Sequence, residues 1–310
     1  MAEQKRLIII DSNSIIHRAF HALPPLTTKK GELVNAVYGF LLVFLKVIKE
    51  FKPDFIAACF DVHAPTFRHK KFKEYKAKRP PAPKELYSQI PKVKEVLGLF
   101  NIPIFEKEGF EADDVIGTIS KEFSGKKKGE AIILSGDLDI LQLVDDYTKA
   151  YLLRRGVKDT ILYNEELVKE KYQGLKPDQL VDFRALRGDP SDNIPGVAGI
   201  GEKTAIELLK KFGTVENLYK KIGKEGLKDV RPRIKELLIQ HREEAFLSRD
   251  LAEIKRDVPI GFNLKDCQWG KYNKEKVIQA LKDLEFNSLV KRLSENEERV
   301  EKEKRELTLW

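Results

Sequence analysis

The sequence predicts an α/β protein: a central, mostly parallel sheet flanked by helices, followed by a smaller all-helical module. Three observations carry this. Leu7–Ile10, Phe55–Phe60 and Ala131–Leu134 are short, wholly apolar runs, the pattern of strands buried on both faces. Helix-spaced segments at Ala36–Lys49, Ser88–Leu99 and Ala112–Phe123 alternate with them, as in a parallel sheet covered by helices. After about residue 175 the strand signals stop, and Pro177–His241 holds helix-like stretches parted by the glycine turns GVAGIG, FGT and IGKEG.

Each element has a local reason. Leu7–Ile10 is apolar throughout, so neither of its faces meets water. Ala36–Lys49 repeats its apolar residues at helical spacing. Pro91 falls in the first turn of the Ser88–Leu99 helix, where a missing N–H costs nothing. Pro259–Leu264 reads as a short extended piece packing back on the body. Ser294–Arg305 is nearly all charge and reads as an exposed helix or a frayed tail.

Composition narrows the function. The chain has 310 residues, 42% apolar and 34% charged, with a net charge of +8. That is enough apolar content for a core, and whole-chain disorder is excluded. No apolar run approaches the ~18 residues of a membrane span. MAEQKR runs straight into LIII, too soon for a signal peptide. Cys59 and Cys267 are the only cysteines, which excludes a disulfide framework and a cysteine zinc site. A reduced, cytoplasmic, soluble protein is expected. The positive excess suits a polyanionic partner.

The acidic residues are the first chemical signal. LIII runs into Asp11, AACF into Asp61, and AIILSG into Asp137 with Asp139 two residues on. Ligands of open parallel sheets bind outside the carboxyl ends of the strands, so these aspartates are expected to converge there. Glu111, Asp113 and Asp114 open the helix before the third strand. Any one such aspartate is an ordinary turn or cap residue. Jointly they repel each other, and a cation relieves that repulsion. Oxygen-only ligands favour Mg²⁺ or Mn²⁺ over zinc, and this many carboxylates can hold two ions for phosphodiester chemistry. Asp189 and Asp192 add a second acidic pair at the entry to the helical module.

Two further elements point to nucleic acid. From Arg68 to Lys84 there are eight Lys or Arg, among them Lys70, Lys71, Lys73, Lys76 and Arg79, against one acid, Glu74. The segment reads as an exposed excursion from the sheet. Its interleaved Phe72 and Tyr75 are candidates to stack on bases of a single strand. Arg68 and Lys76 are candidates to hold the scissile phosphate. The second element is the turn Gly196–Gly201, with Gly199 between, followed by Lys203 and Thr204 at a helix start. It would offer backbone N–H groups to a phosphate.

The stretches IIIDSNSIIHRAFHAL, KKGELVNAVYGF, CFDVHAPTFRHKKFKEYKAKRP, GFEADDVIGTIS, ILSGDLDILQLV and RALRGDPSDNIPGVAGIGEKTA resemble, in order, the 5′-nuclease (5′→3′ exonuclease) domain of bacterial DNA polymerase I, a member of the flap endonuclease family. The resemblance implies a PIN-like nuclease domain over residues 1–174 with a basic arch at about 66–90. It implies a duplex-binding module of helix-hairpin-helix type over 175–290 and leaves a charged tail over 291–310. It assigns Asp11, Asp61, Glu111 and Asp113, with Asp114 close by, to a first metal site. It assigns Asp137, Asp139, Asp189 and Asp192 to a second. Arg68 and Lys76 match phosphate-contacting positions, and Gly196–Gly201 matches a hairpin that can also hold K⁺.

The implied activity is metal-dependent cleavage near the 5′ end or junction of flapped, nicked or forked DNA, RNA-primed ends included. Its setting would be primer removal and repair, and the protein is expected to be a monomer with a DNA polymerase as a possible partner. A PIN-like ribonuclease and a non-catalytic DNA-binding accessory protein are the competing readings. Polymerase I chains continue for several hundred residues, whereas this chain ends at Trp310.

Overall fold

The computed structural model describes residues 4–125, 129–225 and 230–295. Its first part runs β1 (Lys5–Asp11), α1 (Ser12–Ala22), α2 (Asn35–Phe51), β2 (Phe55–Cys59), α3 (Phe67–Lys71), α4 (Lys84–Tyr87), α5 (Ile90–Leu99) and β3 (Ile104–Phe105). It continues with α6 (Ala112–Gly125), β4 (Gly129–Ser135), β5 (Thr148–Leu153), β6 (Thr160–Tyr163) and α7 (Glu165–Lys171). The second part holds α8 (Leu180–Arg187), α9 (Glu202–Phe212), α10 (Val215–Glu225), α11 (Pro232–Gln240), α12 (Arg242–Ala252) and α13 (Lys274–Asp283). A last helical segment covers 287–295, and the tail from 296 lies outside the described residues.

The six strands form one sheet in the order β3-β2-β1-β4-β5-β6. All neighbours pair parallel except β5 and β6. The three expected strands are its centre. β3, β5 and β6 extend it beyond the expectation: β3 has only two residues, and β6 returns antiparallel.

Strand alternation builds two cores. Ile8, Ile10, Ile56, Ala58, Ile132 and Leu134 face α2, α5 and α13. Leu7, Ile9, Ala57, Cys59, Ala131 and Ile133 face α6 and the 254–267 segment. Each fully buried Ile or Leu contributes about 1.5–3 kcal/mol, so the register that puts both sets inside is strongly specified. Val258 is buried and Phe262 packs on Phe105. The 259–264 stretch therefore packs back as expected, without forming a strand.

The helical part has its own core around Leu186, Leu209, Leu218 and Leu238. Gly213 ends α9 with φ +79°, as expected of FGT. IGKEG differs: Gly223 lies within the bounds of α10, and Gly226 is outside the described residues. Among the described residues no helix is long and apolar enough to cross a membrane.

Candidate metal centre and nucleic-acid interface

The carboxyl ends of β1, β2 and β4 open on one cleft of about 450 Å³, lined by Asp11, Asp61, Glu111, Asp113 and Asp137 with Lys76 and Arg79. It lies where the sheet order turns from β1 toward β4, the switch point at which parallel sheets bind ligands. A second cleft adjoins it, sharing Asp137 and Arg79 and adding Asp139, Asp189 and Arg184.

The aspartates also do the capping work that their sequence context allows. Asp11 accepts from Ser14 N at 3.2 Å and caps α1. Asp61 accepts from Ala112 N at 2.8 Å, at the start of α6. Asp137 accepts from Asp139 N at 2.9 Å, and Asp189 from Ser191 N at 2.9 Å. Capping and ligation are compatible, because a carboxylate has lone pairs for both. Asp113 lines the cleft, and no hydrogen bond from another described residue occupies its carboxylate.

Charge crowding is visible in the proton affinities. Burial pushes the Asp11 carboxyl up to about 6, with Asp61 and Asp137 adding to it and Ser135, at 2.6 Å, opposing. Burial, then Asp11 and Asp137, hold Asp113 well above the usual carboxylate range. Asp139 is raised in the same sense, by burial and by Asp137, against Arg184. Glu111 goes the other way: burial raises it, but Lys76 and Arg68 outweigh that and hold it low.

Basic side chains reach in from the rim. Lys76 Nζ lies 2.7 Å from Glu111 Oε1 and 3.9 Å from Asp192 Oδ2. Arg79 pairs with Asp192 and Arg184 with Asp139. Among the described residues no three acidic, His or Cys side chains converge on one point as they stand, and Glu111, Asp139 and Asp192 are instead paired with these cations. The donor set itself, all carboxylate oxygen with a free Asp113, fits a hard divalent ion.

Lys76 adopts φ +56°. The left-handed region costs a non-glycine residue roughly 1–2 kcal/mol, and its N–H bonds to Asp192 O at 2.9 Å to hold it there. Such strain collects where position matters more than stability.

Three expectations are corrected. Asp114 is not in the cleft. It is fully buried behind it, bound to both terminal guanidinium nitrogens of Arg68 at 2.7 and 2.8 Å, and it also accepts from Glu111 N and Lys255 N. Arg68, 2% exposed, is not free for a phosphate: its remaining donors go to Leu251 O at 2.8 Å and Glu253 O at 2.7 Å. Burial lowers its proton affinity, yet Asp114 and Glu111 more than restore it. Tyr75, 3% exposed, is not a stacking ring: its hydroxyl donates to Glu111 and Asp192, at 3.0 and 3.2 Å.

The basic segment therefore does not project freely. Phe72 and Tyr75 pack on Ile194, Leu251 and Ala252 of the helical part. Lys70, Lys71, Lys73 and Arg79 are exposed, with Lys71 paired to Asp250 and Arg79 to Asp192.

The glycine turn is as tight as its sequence predicts. Gly196 has φ +64°, and a Cβ there would meet Gly188 N at 2.3 Å, so only glycine fits. Gly199, Gly201 and Lys203 are exposed, and Thr204 is half-buried in the first turn of α9.

The sequence reading missed Ser135, which orients Asp11, and the α1 residues His17, Arg18 and His21 on the cleft wall. Arg18 bonds to Gly136 O at 2.8 Å. Its spacing of seven from Asp11, two helical turns along α1, was the available signal.

Comparison with known proteins gives the family and the fold. The 5′-3′ exonuclease N-terminal resolvase-like domain matches residues 6–173, and the 5′-3′ exonuclease C-terminal SAM fold matches 175–275. The chain belongs to the 5′-3′ exonuclease family. It is 44% identical over 304 residues to DNA polymerase I of Bacillus subtilis, covering 98% of this chain and 34% of that one. The chain thus spans about a third of the length of the polymerase relatives that it matches. It is 39% identical over 287 residues to a 5′-3′ exonuclease of Aquifex aeolicus, covering 93% of this chain and 94% of that protein. Its fold is that of a bacteriophage T5 flap endonuclease solved with DNA and metal ions, at TM-score 0.67 and 18% identity over 94% of this chain and all of that one. The catalytic core of Rad2 with DNA follows at TM-score 0.54 and 19% identity, over 91% and 88%. The PIN-like α/β domain with a smaller all-helical module stands as expected, and the family description gives that module as a SAM fold where a helix-hairpin-helix type was expected.

Proposed function

We propose that this enzyme is a structure-selective 5′ nuclease that hydrolyses phosphodiester bonds near the 5′ end or junction of flapped or nicked duplex DNA, in primer removal and repair. The observation that carries it is the pairing of a carboxylate cleft with a basic rim, Lys76 and Arg79, at the switch point of the sheet. The alternatives explain one half each: a PIN-like ribonuclease needs no glycine-turn module, and an accessory DNA binder needs no crowded carboxylates.

Asp11, Asp61, Glu111 and Asp113 are the proposed holders of one divalent ion, and Asp137, Asp139, Asp189 and Asp192 of a second, with Mg²⁺ the natural occupant. Ions bound there supply Lewis acidity and an activated water. The chain does the rest. Ser135 fixes the rotamer of Asp11 by its 2.6 Å bond. Lys76 and Arg79 now neutralise Glu111 and Asp192, and a phosphate entering the cleft offers them a new anion. The turn at Gly196–Gly201 and the start of α9, with Lys203 and Thr204, grip the duplex backbone. Potassium at this turn belongs to the same reading, supported by the glycine turn alone. A polymerase partner is supported by the polymerase relatives, and a monomer remains the expectation.

The test is cleavage of a 5′-labelled flap duplex and of the matching single strand, with Mg²⁺ and with excess chelator. Mg²⁺-dependent release of short fragments, faster on the flap, is expected. Salt-sensitive binding without release in Mg²⁺ or Mn²⁺ would leave an accessory protein. Faster cutting of unstructured RNA would favour the ribonuclease. Lys76→Ala is expected to slow single-turnover cleavage about a hundredfold, the scale of a lost electrostatic donor, while flap binding weakens less than about threefold. An unchanged rate would remove Lys76 from the chemistry.

A further inference from the structure

Between residues 60 and 90 the chain carries the rings of Phe60, His63, Phe67, His69, Phe72, Tyr75 and Tyr87. Phe60 and Tyr75 are buried. Phe67 is half-buried against Phe110, His69 against Tyr75, and Phe72 in the Ile194–Leu251 cluster. Only His63 and Tyr87 are exposed, and they touch each other, with ring centroids 6.2 Å apart at 64°. We propose that Tyr87, backed by His63, is the platform on which an unpaired base of the 5′ arm stacks. This rests on the reading that a single-stranded arm passes the basic segment.

The placement supports it. His63 lies two residues beyond Asp61, a wall residue of the acidic cleft. Tyr87 ends α4, just after the Arg79–Pro83 exit of the basic segment. The pair thus joins the two roots of that segment beside the cleft. Leu86, fully buried, anchors α4, while Tyr87 next to it is 46% exposed and its hydroxyl bonds to no other described residue. A ring held on a seated helix loses little freedom on binding. Lys78, Arg79 and Lys84 are exposed nearby in the chain and suit the phosphates of the same strand. Aromatic faces beside a basic track are how single strands are held without regard to sequence.

The test uses flap duplexes with 2-aminopurine at successive arm positions, bound in chelator, and an arm-less nicked duplex as control. The intact enzyme and Tyr87→Phe are expected to alter the fluorescence at one arm position. Tyr87→Ala is expected to abolish that signal and to weaken flap binding about fivefold or more, with arm-less binding and thermal stability unchanged. A Tyr87→Ala enzyme that keeps the signal and the affinity overturns the platform and leaves the flap reading standing. So does an equal loss on both duplexes. An intact enzyme with no preference for the arm overturns both.

Discussion

Asp137→Asn is expected to lower single-turnover cleavage of a flap duplex by about a thousandfold or more while flap binding stays within about threefold. The expectation follows from position. Asp137 lines both clefts, so on the proposed reading it is a ligand of the second ion that also borders the carboxylates of the first. Removing its charge would weaken the second ion directly and the first through the shared wall, and metal-assisted hydrolysis draws several kcal/mol of charge stabilisation from its ions. Binding would be retained because, on the proposed reading, the duplex is gripped at the glycine turn and because removing a negative charge favours a polyanion. The folded backbone is also preserved: an amide oxygen can still accept from Asp139 N, as Asp137 Oδ1 does at 2.9 Å. Binding and cutting lost together, with a lowered melting temperature, would make Asp137 a structural residue. Calorimetric titration with Mn²⁺ gives an independent reading, with lower stoichiometry or affinity expected in the variant.

Arg68→Ala is expected to lower the unfolding free energy by about 3–5 kcal/mol, the cost of leaving a buried ion unpaired. Arg68 meets Asp114 at 2.7 and 2.8 Å and Glu111 at 3.3 Å, deep in the protein. Its loss strands Asp114 and frees the ends of α12 and α6. Urea denaturation measures the effect. The double variant Arg68→Met with Asp114→Leu is expected to recover a substantial part of the stability, since apolar replacement of a whole buried pair is often neutral. If Arg68 instead served as a phosphate ligand, Arg68→Ala would keep its stability within about 0.5 kcal/mol and lose only cleavage.

Much of the fold was legible because its signals are local. The strand runs at Leu7, Phe55 and Ala131 are apolar on both faces, and both faces are covered. The strand-end aspartates were legible for the same reason: Asp11, Asp61 and Asp137 sit where any parallel sheet would bring them.

What depended on direction rather than position was not legible. Asp113 and Asp114 are neighbours in the chain, but on a helix they point about 100° apart. One faces the cleft and the other faces Arg68. Nothing in the sequence says which. Tyr75 alternates with lysines in a way that suits a stacking ring, yet its burial depends on Ile194 and Leu251, which lie far along the chain. Arg68 was misread by the same route, since its partners at 251 and 253 leave no local trace. β6 escaped because it carries only four residues, three of them half-buried.

The junction between the basic segment and the loop at 189–194 sets a length. Lys76 N bonds to Asp192 O, Tyr75 and Arg79 hold the Asp192 carboxylate, and Asn193 donates to Glu74 O at 2.8 Å. That loop leads into the glycine turn two residues later. Backbone that is stitched in this way does not swing independently of the loop. On the proposed reading, the span from duplex grip to arm passage is a rigid gauge laid across the acidic cleft. The enzyme would then choose its cutting point by measuring out from the paired end, and lengthening or shortening this loop would recalibrate the ruler.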